Sequence, residues 1–199
     1  MLQYRIIDDL NLSTEEIEKL IETLPEWRRE EALKFKHIQG RKENAMAYDL
    51  LRKMLGLEPR FEYGSHGKHY AENGKYFNLA HCKNAIGVVI GDGEVGIDVE
   101  CTGRYKPGLA EYAMSDDELK EIEQGGDLAF TILWTKKEAL LKLTGEGITD
   151  DIKTVLTSER MNNVKIKSGY DTEKHYAWSI AYTCSDADSD IDSDIDELC

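Results

Sequence analysis

The 199-residue sequence predicts an α+β fold. A β-prone run opens the chain, apolar residues recur at helical spacing through two long stretches, and the remaining β-prone runs come in clusters. Strands and helices do not alternate singly as a parallel α/β sheet requires.

Residues 2–7 (LQYRII) read as the first strand. Ser13-x-x-Glu16 forms a capping box, and Ile17, Leu20, Ile21 and Leu24 follow at helical spacing. Pro25 opens a second helical segment, EWRREEALKFK, rich in helix formers and bases. A third helix spans 41–55, with Leu50, Leu51, Met54 and Leu55 on its apolar side and Gly56 at its end. The stretch 56–76, rich in Gly, His and Tyr, reads as loop with one short strand. Phe77-Asn78-Leu79 then leads into β-prone runs at 85–90 and 94–100, separated by Asp92-Gly93, a hairpin signal. Ser115 caps the acidic helix DDELKEIE, which ends at Gly125-Gly126. A long helix over 127–143 carries Phe130, Leu133, Trp134, Leu140 and Leu141 on one face, with Gly145 as terminator. Strand-like runs return at 152–157, 164–167 and 176–183. The predicted organisation is an N-terminal half, 1–93, a C-terminal half, 94–184, and a tail, 185–199.

That tail reads SDADSDIDSDIDELC, with six Asp, one Glu and no base, which is half of the net charge of −14. Its apolar content is too low to offset the entropy of ordering, so disorder is expected. Asp186, Asp188 and Asp190 have the spacing of a calcium loop, but the glycine and terminal glutamate of such a loop are missing. The acidity argues against nucleic acid as a partner. No apolar run approaches the roughly 18 residues of a membrane span. The start, MLQYR, lacks the basic-then-apolar pattern of a secretory signal, so a cytoplasmic location and free thiols at Cys82, Cys101, Cys184 and Cys199 are expected. None of the four forms a C-x-x-C pair. His81-Cys82 is not a nucleophilic dyad, because neighbours on a strand point to opposite faces.

The chemistry concentrates in three segments. In Val95-Gly96-Ile97-Asp98-Val99-Glu100 the β-branched residues bury one face of a strand, and Asp98 and Glu100 share the other. Two carboxylates about 6.5–7 Å apart are either a solvated polar edge or a site for a hard divalent cation, which relieves their repulsion. Gly96 is expected to clear space for a ligand. In Trp134-Thr135-Lys136-Lys137-Glu138-Ala139-Leu140-Leu141-Lys142, Glu138 and Lys142 are i,i+4 neighbours bordering the apolar stripe, with Lys137 adjacent. Phe77-Asn78-Leu79-Ala80-His81-Cys82 brings His81 to the end of a strand, and Lys68 precedes it in the Gly-rich loop. Three carboxylates, several lysines and a His suit a metal-bound polyphosphate. The sequence has no Walker loop and no G-x-G-x-x-G.

At FNLAHC (77–82), GIDVE (96–100) and WTKKEALLK (134–142) followed by Gly145-Glu146-Gly147, the sequence resembles the 4′-phosphopantetheinyl transferases of the long, monomeric, surfactin-synthetase-activating type. That resemblance implies two similar halves related by a pseudo-twofold axis, each a small antiparallel sheet with helices, and coenzyme A between them. It implies Mg²⁺ on Asp98, Glu100 and Glu138, phosphate contacts from Lys142 and Lys137, and His81 and Lys68 on the 3′-phosphate. Arg28 matches an upstream phosphate-binding base. The partner implied is an apo acyl or peptidyl carrier protein, which receives phosphopantetheine on a serine while adenosine 3′,5′-bisphosphate leaves. Glu138 is the candidate proton acceptor and Lys142 the stabiliser of developing charge. Three positions depart from the family: Ala80 and Cys82 stand where serines are usual, and Asn44 stands where a base is usual. Arg28, Arg29, Lys34, Lys36, Arg41, Lys42, Arg52 and Lys53 are the bases available to dock a carrier.

Overall fold

The computed structural model describes residues 1–56, 61–63, 69–71, 74–148 and 150–183. Lys68 and the acidic tail lie outside the described residues. The elements are β1 (Leu2–Ile7), α1 (Thr14–Glu22), α2 (Glu26–Leu33), α3 (Ile38–Leu55), β2 (Phe61–Tyr63), β3 (His69–Ala71), β4 (Tyr76–His81), β5 (Ile86–Gly91), β6 (Val95–Cys101), α4 (Pro107–Ala113), α5 (Asp116–Thr144), β7 (Val164–Asp171) and β8 (Tyr176–Thr183).

The local signals account for most helix boundaries. Both capping boxes form: the Ser13 side chain accepts from Glu16 N–H and the Ser115 side chain from Glu118 N–H, while each Glu reaches back to its cap. Gly56 (φ +73°) and Gly145 (φ +77°) end α3 and α5 in the left-handed region. The break expected at Gly125-Gly126 is a sharp kink within α5, where Gly126 takes φ +63° and ψ −148°.

The strands form two antiparallel sheets, ordered β1-β5-β4-β3-β2 and β6-β8-β7. Within each half the first strand pairs with the second arm of a later hairpin: β1 with β5 of the β4–β5 hairpin, and β6 with β8 of the β7–β8 hairpin. The order is therefore layered. Helices α1–α3 cover one face of the first sheet, the two sheets pack face to face, and α5 covers the outer face of the second. The middle core joins Ala80, Cys82 and Val89 to Val95, Ile97, Val99 and Ile180. At the rim of this interface Tyr176 Oη and Lys174 Nζ both donate to Asp8, at 2.9 and 2.6 Å.

Three expectations are corrected. Asp92-Gly93 does not close a hairpin: β5 pairs with β1 and β4, and β6 pairs with β8. The turn instead carries the chain from one sheet to the other. The run 152–157 is a 3-10 helix burying Ile152 and Val155, three residues apart, as that geometry favours. The stretch 56–76 holds two short strands, β2 and β3.

Gly96 does not open space for a ligand. A Cβ there would lie 2.1 Å from the Ala139 carbonyl oxygen and 2.5 Å from the Leu143 nitrogen. Its lack of a side chain lets the α5 backbone approach β6, which is buried on both faces. The clash is with backbone, which cannot swing aside. Gly96→Ala is therefore expected to destabilise the protein by about 2–3 kcal/mol or more, read as a lowered denaturant midpoint. Gly108→Ala, where a Cβ meets open space, is the comparison expected to shift it little.

Candidate active site between the two halves

Asp98 sits on the face of β6 turned towards α5 and is 5% exposed. Its Oδ1 accepts from Lys142 Nζ at 2.6 Å, while its Oδ2 is buried with no hydrogen-bond partner. Burial raises the proton affinity of Asp98, and the Lys142 charge opposes that rise. Glu100, two residues on and half-buried, is also raised, first by burial and then by the charge of Asp98. It accepts from Arg104 in the loop that follows. Glu138, on α5, is raised by burial and by the charges of Asp98 and Glu100. The three carboxylates from β6 and α5 thus share one electrostatic environment.

The packing of α5 sets this arrangement. Ala139 and Leu143, whose backbone meets Gly96, directly follow Glu138 and Lys142 in sequence. One turn earlier, Thr135 Oγ1 and Ser179 Oγ on β8 are 2.8 Å apart, and Ser179 Oγ is also 2.8 Å from Ser168 Oγ on β7. These small side chains fix how the helix sits on the sheet.

The N-terminal half supplies bases. His81, at the end of β4, has Nδ1 3.2 Å from Glu43 on α3. Burial lowers its proton affinity, the charges of Lys142 and Arg28 lower it further, and Glu43 opposes them. The charges of Lys142 and Arg28, which come from different halves, thus both reach His81. The Arg28 guanidinium lies 5.3 Å from the Tyr48 ring centroid and donates from Nη2 to the Asn44 carbonyl at 3.3 Å. Arg28 Nε and Asn44 Oδ1 are buried without partners. Asn44, aligned with a position where the family has a base, thus lies beside Arg28.

Lys137 is a correction. Its side chain is fully buried and its ammonium meets Ile152 O at 2.9 Å, Lys153 O at 3.1 Å and Glu118 Oε2 at 2.8 Å. Three N–H donors face three acceptors, leaving none for a phosphate. Lys137 instead ties the 3-10 segment and the start of α5 to the second half of that helix. Burial, with the neighbouring Cys101, pushes the Cys82 thiol up to about 12, so it is no thiolate near neutral pH. The N-terminal bases do not gather into one free patch. Arg29 donates to the Glu22 and Leu24 carbonyls, Arg41 to Phe35 O and Lys42 to Leu10 O, while Lys53 pairs with Asp49.

Sequence reasoning missed Arg104 and Asp127. Asp127, just after the kink, accepts from the backbone N–H groups of Gly103 and Tyr105 and so anchors the loop between them. Tyr105 packs edge-on against Phe130, which stacks on Trp134. Arg104, Glu100, Leu109, Phe130 and Trp134 help line an open cleft beside Glu100.

The carboxylates suit a hard divalent cation. Asp98 Oδ2 is an orphaned buried acceptor, and an all-oxygen donor set is what Mg²⁺ selects. The cage is not closed: among the described residues no three His, Cys, Asp or Glu side chains converge on one point. Lys142 and Arg104 engage Asp98 and Glu100 instead.

Comparison with known proteins gives one family. A family model described as the 4′-phosphopantetheinyl transferase superfamily matches residues 94–188. Over those residues the chain is similar to that superfamily. A 4′-phosphopantetheinyl transferase of Bacillus subtilis is 25% identical over 205 residues, covering 89% of this chain and 90% of the relative. The transferase psf-1 of Bacillus pumilus is 28% identical over 161 residues, 74% of this chain and 69% of its own. The transferase HetI of Nostoc sp. is 36% identical over 121 residues, about half of each chain (52% and 51%). The similarity to the Bacillus subtilis transferase extends through both halves of the chain.

Lys137→Met is expected to lower stability by about 3 kcal/mol, because it strands the largely buried Glu118 carboxylate. Coenzyme A affinity of the folded variant is expected to stay within about twofold of the parent. Chemical denaturation and calorimetric titration measure the two quantities. A loss of affinity at unchanged stability would restore Lys137 to the phosphate site.

Proposed function

We propose that this protein transfers the 4′-phosphopantetheine arm of coenzyme A to a serine of an apo carrier protein, acyl or peptidyl, with Mg²⁺ and with release of adenosine 3′,5′-bisphosphate. The supporting observation is a buried Asp98 that Lys142 engages at Oδ1 and leaves unpartnered at Oδ2, sharing its electrostatic surroundings with Glu100 and Glu138. His81 and Arg28, from the first half, are bases available to phosphates, and the charges of Arg28 and Lys142 both reach His81. A single chain supplies both the acids and the bases, which fits a monomer.

Asp98, Glu100 and Glu138 would hold Mg²⁺, which when bound neutralises pyrophosphate charge and orients the phosphorus under attack. The chain's own groups do the rest. The serine oxygen bonds to the β-phosphorus and the bond to the bridging oxygen breaks, leaving adenosine 3′,5′-bisphosphate. Glu138 takes the serine proton. Its burial and its carboxylate neighbours raise its proton affinity above the ordinary value, towards that of a working base. Lys142, held by Asp98 at 2.6 Å, is aimed by that contact and stabilises charge growing on the leaving oxygen. His81 and Lys68 hold the 3′-phosphate, and Arg28 is a further phosphate-binding base. Ala80, buried in the middle core, offers no hydroxyl there, so the imidazole carries more of that grip.

Incubation with coenzyme A, Mg²⁺ and an apo carrier, followed by mass spectrometry, is expected to show the phosphopantetheine mass on the carrier. Glu138→Gln is expected to abolish transfer while the protein stays folded. Cleavage of coenzyme A without a carrier would indicate a phosphohydrolase, and binding without any product a coenzyme A-binding module.

His81 carries a pH prediction. Its lowered proton affinity leaves it largely neutral at pH 7, since its ordinary value is about 6.5. A bound phosphate favours the imidazolium, so coenzyme A binding is expected to take up protons and to tighten as pH falls from 8 towards 6. Calorimetry in buffers of different ionisation enthalpy reads the uptake, and His81→Asn is expected to remove it. Absence of uptake in the parent would take the 3′-phosphate away from His81.

A further inference from the structure

The two cations at the carboxylates hold them differently. Lys142 engages Asp98 through Oδ1 alone and leaves Oδ2 buried and unpartnered, so Asp98 keeps an acceptor for a metal. Arg104 lies across Glu100: Nη1 donates to Oε2 in a close ion pair. The Arg104 side chain is 61% exposed, against 33% for Lys142. Its backbone is anchored, because Asp127 accepts from Gly103 and Tyr105 on either side of it. The guanidinium is therefore a fixed charge on a tethered stem, over the cleft that it lines with Glu100, Phe130 and Trp134.

We propose that Arg104 competes with the divalent cation for Glu100, and so couples cation binding to the arrival of an anionic substrate. This rests on the proposed metal reading of the carboxylates. A guanidinium stays charged at all accessible pH, so it cannot leave Glu100 by losing a proton. It leaves only when a stronger cation takes the carboxylate or another anion takes the guanidinium. The Arg104 end of the pair is exposed and competes with water, which makes it displaceable. A diphosphate reaching the cleft supplies the alternative anion. Each ligand then lowers the cost of binding the other, and by linkage the coupling is reciprocal.

The test uses Mn²⁺ as probe, titrated at low salt onto the full chain and followed by the electron paramagnetic resonance signal of the free ion. Without coenzyme A, Arg104→Gln is expected to bind Mn²⁺ about two- to fivefold more tightly than the parent, the scale of one exposed pair. Coenzyme A is expected to tighten Mn²⁺ binding by the parent, and to do so less in Arg104→Gln. Lys106→Gln removes an exposed charge from the same loop and is expected to match the parent. Equal or weaker Mn²⁺ binding by Arg104→Gln overturns the proposal, as does an equal gain in Lys106→Gln, which would reduce it to a general field effect. If neither the parent nor Arg104→Gln binds Mn²⁺, with or without coenzyme A, the metal reading itself fails and takes this inference with it.

Discussion

The close approach of α5 to β6 at Gly96 is the contact on which the site depends. A strand covered on both faces must give up side-chain volume somewhere, and here it does so where the backbone of Ala139 and Leu143 arrives. Glu138 and Lys142, next to those residues in sequence, are thereby delivered beside Asp98, two residues further along the strand. The same approach excludes water from Asp98 and raises its proton affinity. One steric accommodation thus positions the charged groups and creates the low-polarity surroundings in which they interact strongly.

Much of this was legible in local sequence. The alternation in VGIDVE assigned the core and polar faces of β6, and the two capping boxes and terminal glycines marked helix ends. These signals act over four to seven residues and survive folding unchanged. Long-range pairing leaves no such mark. Asp92-Gly93 is a turn, but only partner choice decides whether the following strand folds back on β5 or crosses to β8. The run 152–157 has β-branched residues yet is drawn into a 3-10 helix whose carbonyls the buried Lys137 ammonium holds. The resemblance implies a phosphate contact for Lys137, but a motif does not show which way a side chain points, and this one points into the protein. A glycine beside carboxylates suggests room for a ligand, but at Gly96 the space is taken by the α5 backbone.

The two halves divide the chemistry unevenly. The second sheet and α5 contribute the carboxylates, and the first sheet with α2 and α3 contributes His81, Arg28 and Asn44. Bases further out on α1–α3 are largely taken up in capping carbonyls and pairing with acids. An acidic chain can therefore accept a polyanion: the local field at the cleft, not the net charge of −14, decides what binds there. The contact of Asp8, just after β1, with Lys174 and Tyr176 of the last hairpin ties the two halves together elsewhere.

The shared strand order of the two sheets has a consequence for how the polypeptide emerges during synthesis. The first sheet can close once residue 91 has appeared, because β5 completes it beside β1. The second cannot: Val95 waits for Tyr182, near the end of the described chain. Until then β6 has no ladder partner of its own, and its apolar side has only the finished first sheet to rest on. A nascent chain stalled before β8 would carry Asp98 and Glu100 on an unpaired strand, so translation through the final hairpin is the step that commits the protein to its working form.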